Sequence, residues 1–256
     1  MAQKVTPTSR AKAKAPAVVR AQRFELVSPE GEVQAQLSSH PDGQPGLALA
    51  DASGKARVLI SMAGDGAVTV SLQDRRGRRR AAMGVTAEGG SSLTLVDKHG
   101  KGHALLSVTA EGESGFGLGD SQGMGRALLS VHRTGSVSLS LFDATGRRRS
   151  GLASRADGSP ALILEDAQGK GLVHLTVSPN GEPGLGMGDR QGKGRVLLGV
   201  KADDSAGVAF YDATGNLRAV LGTTAVAASD AATGSGEPAS AMALFDGEGK
   251  LLFQVP

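Results

Sequence analysis

The chain has no cysteine and no tryptophan, and holds only one tyrosine and six phenylalanines in 256 residues. Without cysteine no disulfide staples the fold and no thiolate serves as metal ligand or nucleophile. That absence fits any redox compartment. The shortage of aromatic rings argues against a reader of single-stranded nucleic acid, which stacks bases on such rings. No stretch approaches the ~18 consecutive apolar residues that a membrane-crossing helix needs. The N-terminal segment lacks the apolar core and small-residue cleavage site of a secretory signal. Cytoplasmic location is the default expectation, with export by another route left open.

Acidic residues are missing from one place in particular. Residues 1–22 hold Lys4, Arg10, Lys12, Lys14 and Arg20 and no acid, a charge of +5, whereas the whole chain carries +3. The remainder therefore carries −2. With Pro7, Pro16 and little apolar pattern, this segment is expected to be a disordered basic arm, suited to an anionic polymer or an acidic protein partner.

What the chain has in abundance is a beat. Aspartate returns at every twenty-third position: Asp51, Asp74, Asp97, Asp120, Asp143, Asp166, Asp189 and Asp212. Glycine follows three positions later at Gly54, Gly77, Gly100, Gly123, Gly146, Gly169, Gly192 and Gly215. Such spacing marks a repeat protein. Within one unit, residues 92–114, Leu93 and Leu95 alternate with small or polar neighbours, then Asp97-Lys98-His99-Gly100 intervenes, then Ala104, Leu106 and Val108 alternate again. Period-two alternation between turn signals reads as two strands of a hairpin. Aspartate opening a type I turn accepts backbone N–H bonds, and glycine at its end takes the left-handed conformation. A second set of turns falls at Gly43, Gly66, Gly89, Gly112, Gly135, Gly158 and Gly181, with Asp204 in the next place.

The expected fold is all-β: about nine to ten tandem 23-residue hairpins stacked into a solenoid- or prism-like array. Two apolar columns are expected to face inward. One runs through Leu47, Val70, Leu93 and Phe116, the other through Ile60, Met83, Leu106 and Leu129, and both continue along the chain. The array spans 23–224, with 23–45 as an atypical first cap. A flexible low-complexity loop is expected at 225–241, and 242–256 forms a closing half-repeat with Asp246 and Gly249.

The units also recur in kind every third copy: GLALAD, GFGLGD and GLGMGD begin at positions 46, 115 and 184. This three-unit superperiod reflects either a duplicated block or a geometry that puts every third unit on one face. In the glycine-rich units, Gly115, Gly117, Gly119, Gly184, Gly186 and Gly188 line a flat surface with Leu59, Leu128 and Leu197. A glycine inside a strand costs roughly 0.5–1 kcal/mol against alanine, and close approach of another backbone offsets such a cost. This surface is the expected self-association face.

Arginines form the second candidate surface. Arg75, Arg76, Arg78, Arg79 and Arg80 crowd one hairpin tip and Arg147, Arg148 and Arg149 another. They suit a polyanion or carbohydrate, or they keep strand ends soluble. No metal, cofactor or catalytic set is expected. The aspartates have work to do in their own turns. GFGLGDSQG and GLGMGDRQG resemble the glycine–aspartate calcium repeats of β-roll proteins but recur only at every third unit, far too sparsely to stack ligands. The GxG patterns open no helix, as a dinucleotide fingerprint must. His99 and His103 flank one turn, while His40, His132 and His174 fall elsewhere in the unit, short of the converging ligands that zinc requires. Phe210-Tyr211-Asp212-Ala213-Thr214-Gly215-Asn216-Leu217 resembles the YD repeats of large bacterial toxin shells, whose repeats form a spiralling β casing. Leu141–Arg147 is a looser match, and the other full copies lack the aromatic before aspartate. The expectation is a non-enzymatic structural protein that self-associates as part of a fibre, shell or appendage. The alternative is a binding module for a polyanion or carbohydrate at the arginine tips.

Overall fold

The computed structural model describes residues 18, 20–39, 43–222 and 241–255. Most of the basic arm and nearly all of the loop expected at 225–241 lie outside them, as does His40. The described residues form twenty strands and no helix, from Arg23–Val27 to Leu251–Val255. The strands make ten hairpins. Each pairs antiparallel with the strands just before and after it in the chain. Among the described residues no strand contacts any but these neighbours. The result is an all-β array of tandem hairpins, solenoid-like in its one-dimensional order, laid out as one open sheet.

Both kinds of turn have the same main chain. At Asp51 the N–H donates to the Lys55 carbonyl and the Gly54 N–H donates back to the Asp51 carbonyl, each at 2.9 Å. At Ala63 the equivalent bonds reach Ala67 at 2.8 Å and come from Gly66 at 2.9 Å. Gly54 and Gly66 take φ of 74° and 90°, the left-handed region that suits glycine. Asp204, where this glycine is replaced, holds φ 61°. Aspartate tolerates that region better than most residues.

Turns of the two kinds alternate at intervals of twelve and eleven residues, which explains an odd period. In the hairpin closed by Asp51, Ala50 pairs with Ala56 and Leu49 with Val58, so Arg57 is left over. The same register shift recurs beside the turns at Asp74, Asp120, Asp143, Asp166, Asp189 and Asp212. Ladders at the other rim run without it. The odd residue of each such unit is thus a β-bulge, which absorbs one extra residue without moving the rest of the strand to the wrong face.

Register therefore holds across the whole sheet. Successive partners Phe24, Leu37, Leu47, Ile60, Val70 and Met83 begin a row that ends with Leu221, Met242 and Val255. This row takes one apolar residue from each of the twenty strands. It contains both columns expected to face inward, but nothing covers them within the described residues. Met83, Leu106, Leu152 and Leu221 are 57%, 52%, 54% and 56% exposed. The only buried hydrophobic side chains among the described residues are Ala161 and Ala243. A sheet one layer thick has no interior, so alternation sorts residues between two faces rather than between core and solvent.

Candidate functional site

Three surfaces carry the chemistry: a leucine face, a small-residue face, and the rim of aspartate turns. At this rim the aspartates share one geometry. One carboxylate oxygen of Asp120 accepts the N–H groups of Gln122 and Met124 at 2.9 and 3.0 Å. Asp97, Asp166 and Asp189 accept in the same way from residues two and four further on. The second oxygen of Asp120 meets Arg126, the bulge residue, at 3.3 Å. The same aspartate–arginine pair, six residues apart, joins Asp51 to Arg57, Asp74 to Arg80, Asp143 to Arg149, Asp189 to Arg195 and Asp212 to Arg218.

Each of these arginines reaches one strand further. Arg57 donates to the carbonyl of Gln73, Arg126 to Phe142, Arg149 to Glu165, Arg195 to Tyr211 and Arg218 to Phe245, at 2.9–3.3 Å. Arg80 donates to the Asp97 carbonyl. A planar guanidinium with several fixed donors can hold carboxylate and carbonyl together, which an ammonium does less well. The arginine stitches a turn to the following hairpin, and the bulge aims it there. Two units lack the stitch: six residues after Asp97 stands His103, and after Asp166 stands Leu172. Asp97 and Asp166 are three units apart, so at this rim the superperiod reads as two stitched units and one plain.

The carboxyls are held ionised by their own turns. The Thr145 hydroxyl beside Asp143, with the N–H groups of Arg147 and Thr145, brings its pKa to about 2. Thr214 does the same for Asp212, also to about 2. Ser53 is the main cause of an even larger downward shift at Asp51. No group of three or more His, Asp or Glu side chains among the described residues is placed to hold a metal ion.

The arginine tips divide into committed and open groups. Arg78 donates to the Lys98 carbonyl at 3.1 Å, and Arg80 is held by Asp74 and Asp97. Arg147 donates to the Ala167 carbonyl. Arg148 makes a two-point pair with Glu165 at 2.8 Å, and Arg149 belongs to a stitch. The guanidiniums of Arg75, Arg76 and Arg79 have no protein partner among the described residues. A recess of about 440 Å³ lies there, lined by Asp74, Arg75, Arg76, Arg78, Arg80, Lys98 and His99. Sequence reasoning read all eight arginines as tip charges and missed the stitch. The signal was present, since Arg57, Arg80, Arg126, Arg149, Arg195 and Arg218 each stand six residues after an aspartate.

The small-residue face carries the glycine–leucine surface. Gly117 pairs with Leu105 and Leu128, and Gly186 with His174 and Leu197. The glycines are not alike in what surrounds them. A Cβ at Gly119 would lie 3.0 Å from the His103 ring, and one at Gly188 would lie 3.2 Å from the carbonyls of Gly171 and Lys193. These two positions are crowded by the chain itself. At Gly115, Gly117 and Gly184 the nearest atoms would be 3.6–4.0 Å away, ordinary contact. At Gly186 the Leu197 side chain would be 3.4 Å away. Leu128 and Leu197 remain 40% and 48% exposed.

No protein-family model matches the chain, and no curated protein matches it. Among solved structures it is similar to the TCP domain of SAS-4 from Drosophila melanogaster, solved with a proline-rich motif of Ana2. The identity is 15% and the TM-score 0.38, over 70% of this chain and 99% of that one. It is also similar to a Tc holotoxin pore of Photorhabdus luminescens, at 11% identity and TM-score 0.22, over 91% of this chain but only 14% of that one. Both likenesses are too loose to imply a shared fold or role. Among the described residues no helix is long and apolar enough to cross a membrane.

Proposed function

We propose that the chain is a non-enzymatic structural repeat protein that presents a rigid β surface and self-associates, as a component of a fibre, shell or appendage. One observation carries this reading: a single regular sheet of twenty strands leaves an ordered apolar row open from end to end. Soluble monomers rarely expose a contiguous apolar patch beyond ~300–600 Å². A row of this length exceeds that and marks a surface made to be covered. The repeat geometry supplies rigidity through ladders and stitches, and the basic arm at 1–22 would tether the assembly to an anionic polymer or acidic protein. Negative-stain imaging of the purified chain, with its mass from light scattering, tests the reading. Regular particles or fibres well above the 25.8 kDa of one chain are expected. A monodisperse monomer overturns it.

A second reading rests on the unpaired guanidiniums of Arg75 and Arg76 around the recess beside Lys98 and His99. It is a polyanion- or carbohydrate-binding module. Retention on heparin that falls steeply with salt, and is lost in an Arg75→Ala/Arg76→Ala variant, is the outcome it requires. Retention unchanged by those substitutions rules out this site.

A further inference from the structure

We infer that the leucine face is the assembly interface, and that what covers it is the leucine face of a second copy of this chain. This rests on the self-association proposed above and assigns it to one face. Beside the twenty-strand row runs a second one on the same side of the sheet. It passes through Leu49, Val58, Leu72, Ala81, Leu95 and Ala104 and goes on to Leu118, Ala127 and Leu141. Neither row holds a charged side chain, and the second has a single hydroxyl, Ser150. A sheet face so apolar must be buried against another layer.

These 256 residues do not supply that layer. The described residues are all in one sheet and its turns, and no strand reaches past its neighbours. The residues outside them include only Met1, Val5, Val19 and Val226 as large aliphatic side chains. Four such side chains cannot cover rows that cross twenty strands.

The face is also shaped for its own kind. Over eight strands of the second row large and small residues alternate: Leu72 then Ala81, Leu95 then Ala104, Leu118 then Ala127, Leu141 then Ser150. Beyond them Leu164, Val173, Met187, Val196 and Phe210 make it uniformly large. With strands ~4.8 Å apart, the alternating stretch makes ridges and grooves with a pitch of ~9.6 Å. Packed layers interdigitate when large side chains meet small ones. The surface certain to carry the same pitch over the same length is another copy. Twenty strands give a strip ~90 Å long, and two rows give it a width of ~13 Å. A face-to-face pair would then bury ~2,400 Å² in total, within the range of obligate dimers.

The test uses the full chain, whose lack of cysteine gives a clean background. Mass in solution is measured for wild type, for Leu106→Lys/Leu152→Lys on the leucine face, and for Gly117→Lys/Gly186→Lys on the opposite face. Wild type and the glycine variant are expected to assemble, and the leucine variant to fall to 25.8 kDa with its β-sheet circular dichroism retained. Should the leucine variant misfold, single cysteines provide a second readout. In assembled protein, Ser150→Cys should be shielded from a bulky maleimide while Ser140→Cys, one strand over and on the other face, reacts freely. Shielding at Ser140→Cys with free reaction at Ser150→Cys, or dissociation by the glycine variant alone, overturns the face assignment and leaves self-association standing. A monomeric wild type overturns both. A monomer that floats with neutral phosphatidylcholine vesicles assigns the face to lipid and likewise ends the proposal.

Discussion

At one rim of the sheet the chain turns through Asp51, Asp74 and their counterparts. At the other it turns through Ala63, Thr86, Thr109, His132, Arg155, Ser178 and Lys201, with the same pair of main-chain hydrogen bonds. The comparison separates two jobs that the aspartate–glycine beat had merged. A residue with positive φ at the turn's fourth position is enough to make it, and six different residue types open it equally well at the plain rim. The aspartate is therefore not kept for turning. It caps the N–H groups beyond the turn and anchors the bulge arginine, which in turn holds the next hairpin. The plain rim is joined across hairpins only in places, where Glu182 accepts the Ala202 N–H at 2.9 Å and Glu113 faces His132 at 4.0 Å, whereas the other is fastened by arginine at six of its turns.

Acid should break this comparison most strongly. A carboxyl whose pKa is depressed on folding contributes stability that is complete above its unfolded value, about 3.9. That contribution is lost as pH falls through the folded value. For Asp143 and Asp212 the folded value is about 2, so the window runs from about pH 4 down to about pH 2. Melting temperature should be flat from pH 7 to 5 and fall through that window. Amide exchange should rise first at the fastened rim. Turns at Thr86 and Thr109, whose hydroxyls accept the N–H groups of Gly90 and Glu113 at 3.2 Å, carry no titrating cap and should lag. Plain-rim turns at Arg155 and Lys201, where Asp157 and Asp203 accept the N–H groups of Ser159 and Ser205 and are themselves held below the usual carboxylate range, should respond with the fastened rim. Equal acceleration at the Thr86 and Thr109 turns would refute the division of labour.

Glycine substitution should sharpen the shared half of the comparison. Gly54 and Gly66 both have positive φ and open space where a Cβ would go. Gly54→Ala and Gly66→Ala should each cost roughly 1–2 kcal/mol, the penalty of a left-handed non-glycine residue. Denaturant unfolding would show the two costs to be alike. A large difference would mean the turns are not equivalent after all.

The smallest effect is expected from the stitch alone. Arg126→Met removes the bond to Asp120 and the donation to the Phe142 carbonyl. Exposed ion pairs contribute little to global stability. The midpoint should therefore barely move, while exchange quickens at the strand end near Phe142. His132→Ala at the plain rim removes only a 4.0 Å contact with Glu113 and a 3.4 Å one with Ser130, and should leave the midpoint unchanged and exchange near Phe142 unaltered.

Much of this architecture was legible before any coordinates, and the reason is local. Turns at Asp51–Gly54 and Ala63–Gly66 depend on residues three apart, and strand alternation on residues two apart, so a linear reading captures them. Leu93 and Leu106 could be placed on one face for the same reason. What covers that face was not legible, because alternation distinguishes two sides and says nothing about a second layer. The fastening between Arg126 and Phe142 bridges two hairpins and depends on a bulge, a register detail that periodicity averages away. The arginines of the tips looked alike as charges, and only geometry separates Arg148, paired with Glu165, from the unpaired Arg75.

Because every strand leans only on the two beside it, the number of hairpins is not set by closure. A whole unit could be spliced in or out at a turn, and the fasteners on either side would meet as before. Such a molecule behaves like a measuring tape cut to length: its reach is encoded by copy number, in steps of two strand widths. A chain with three extra units should fold with the same turns and simply be longer.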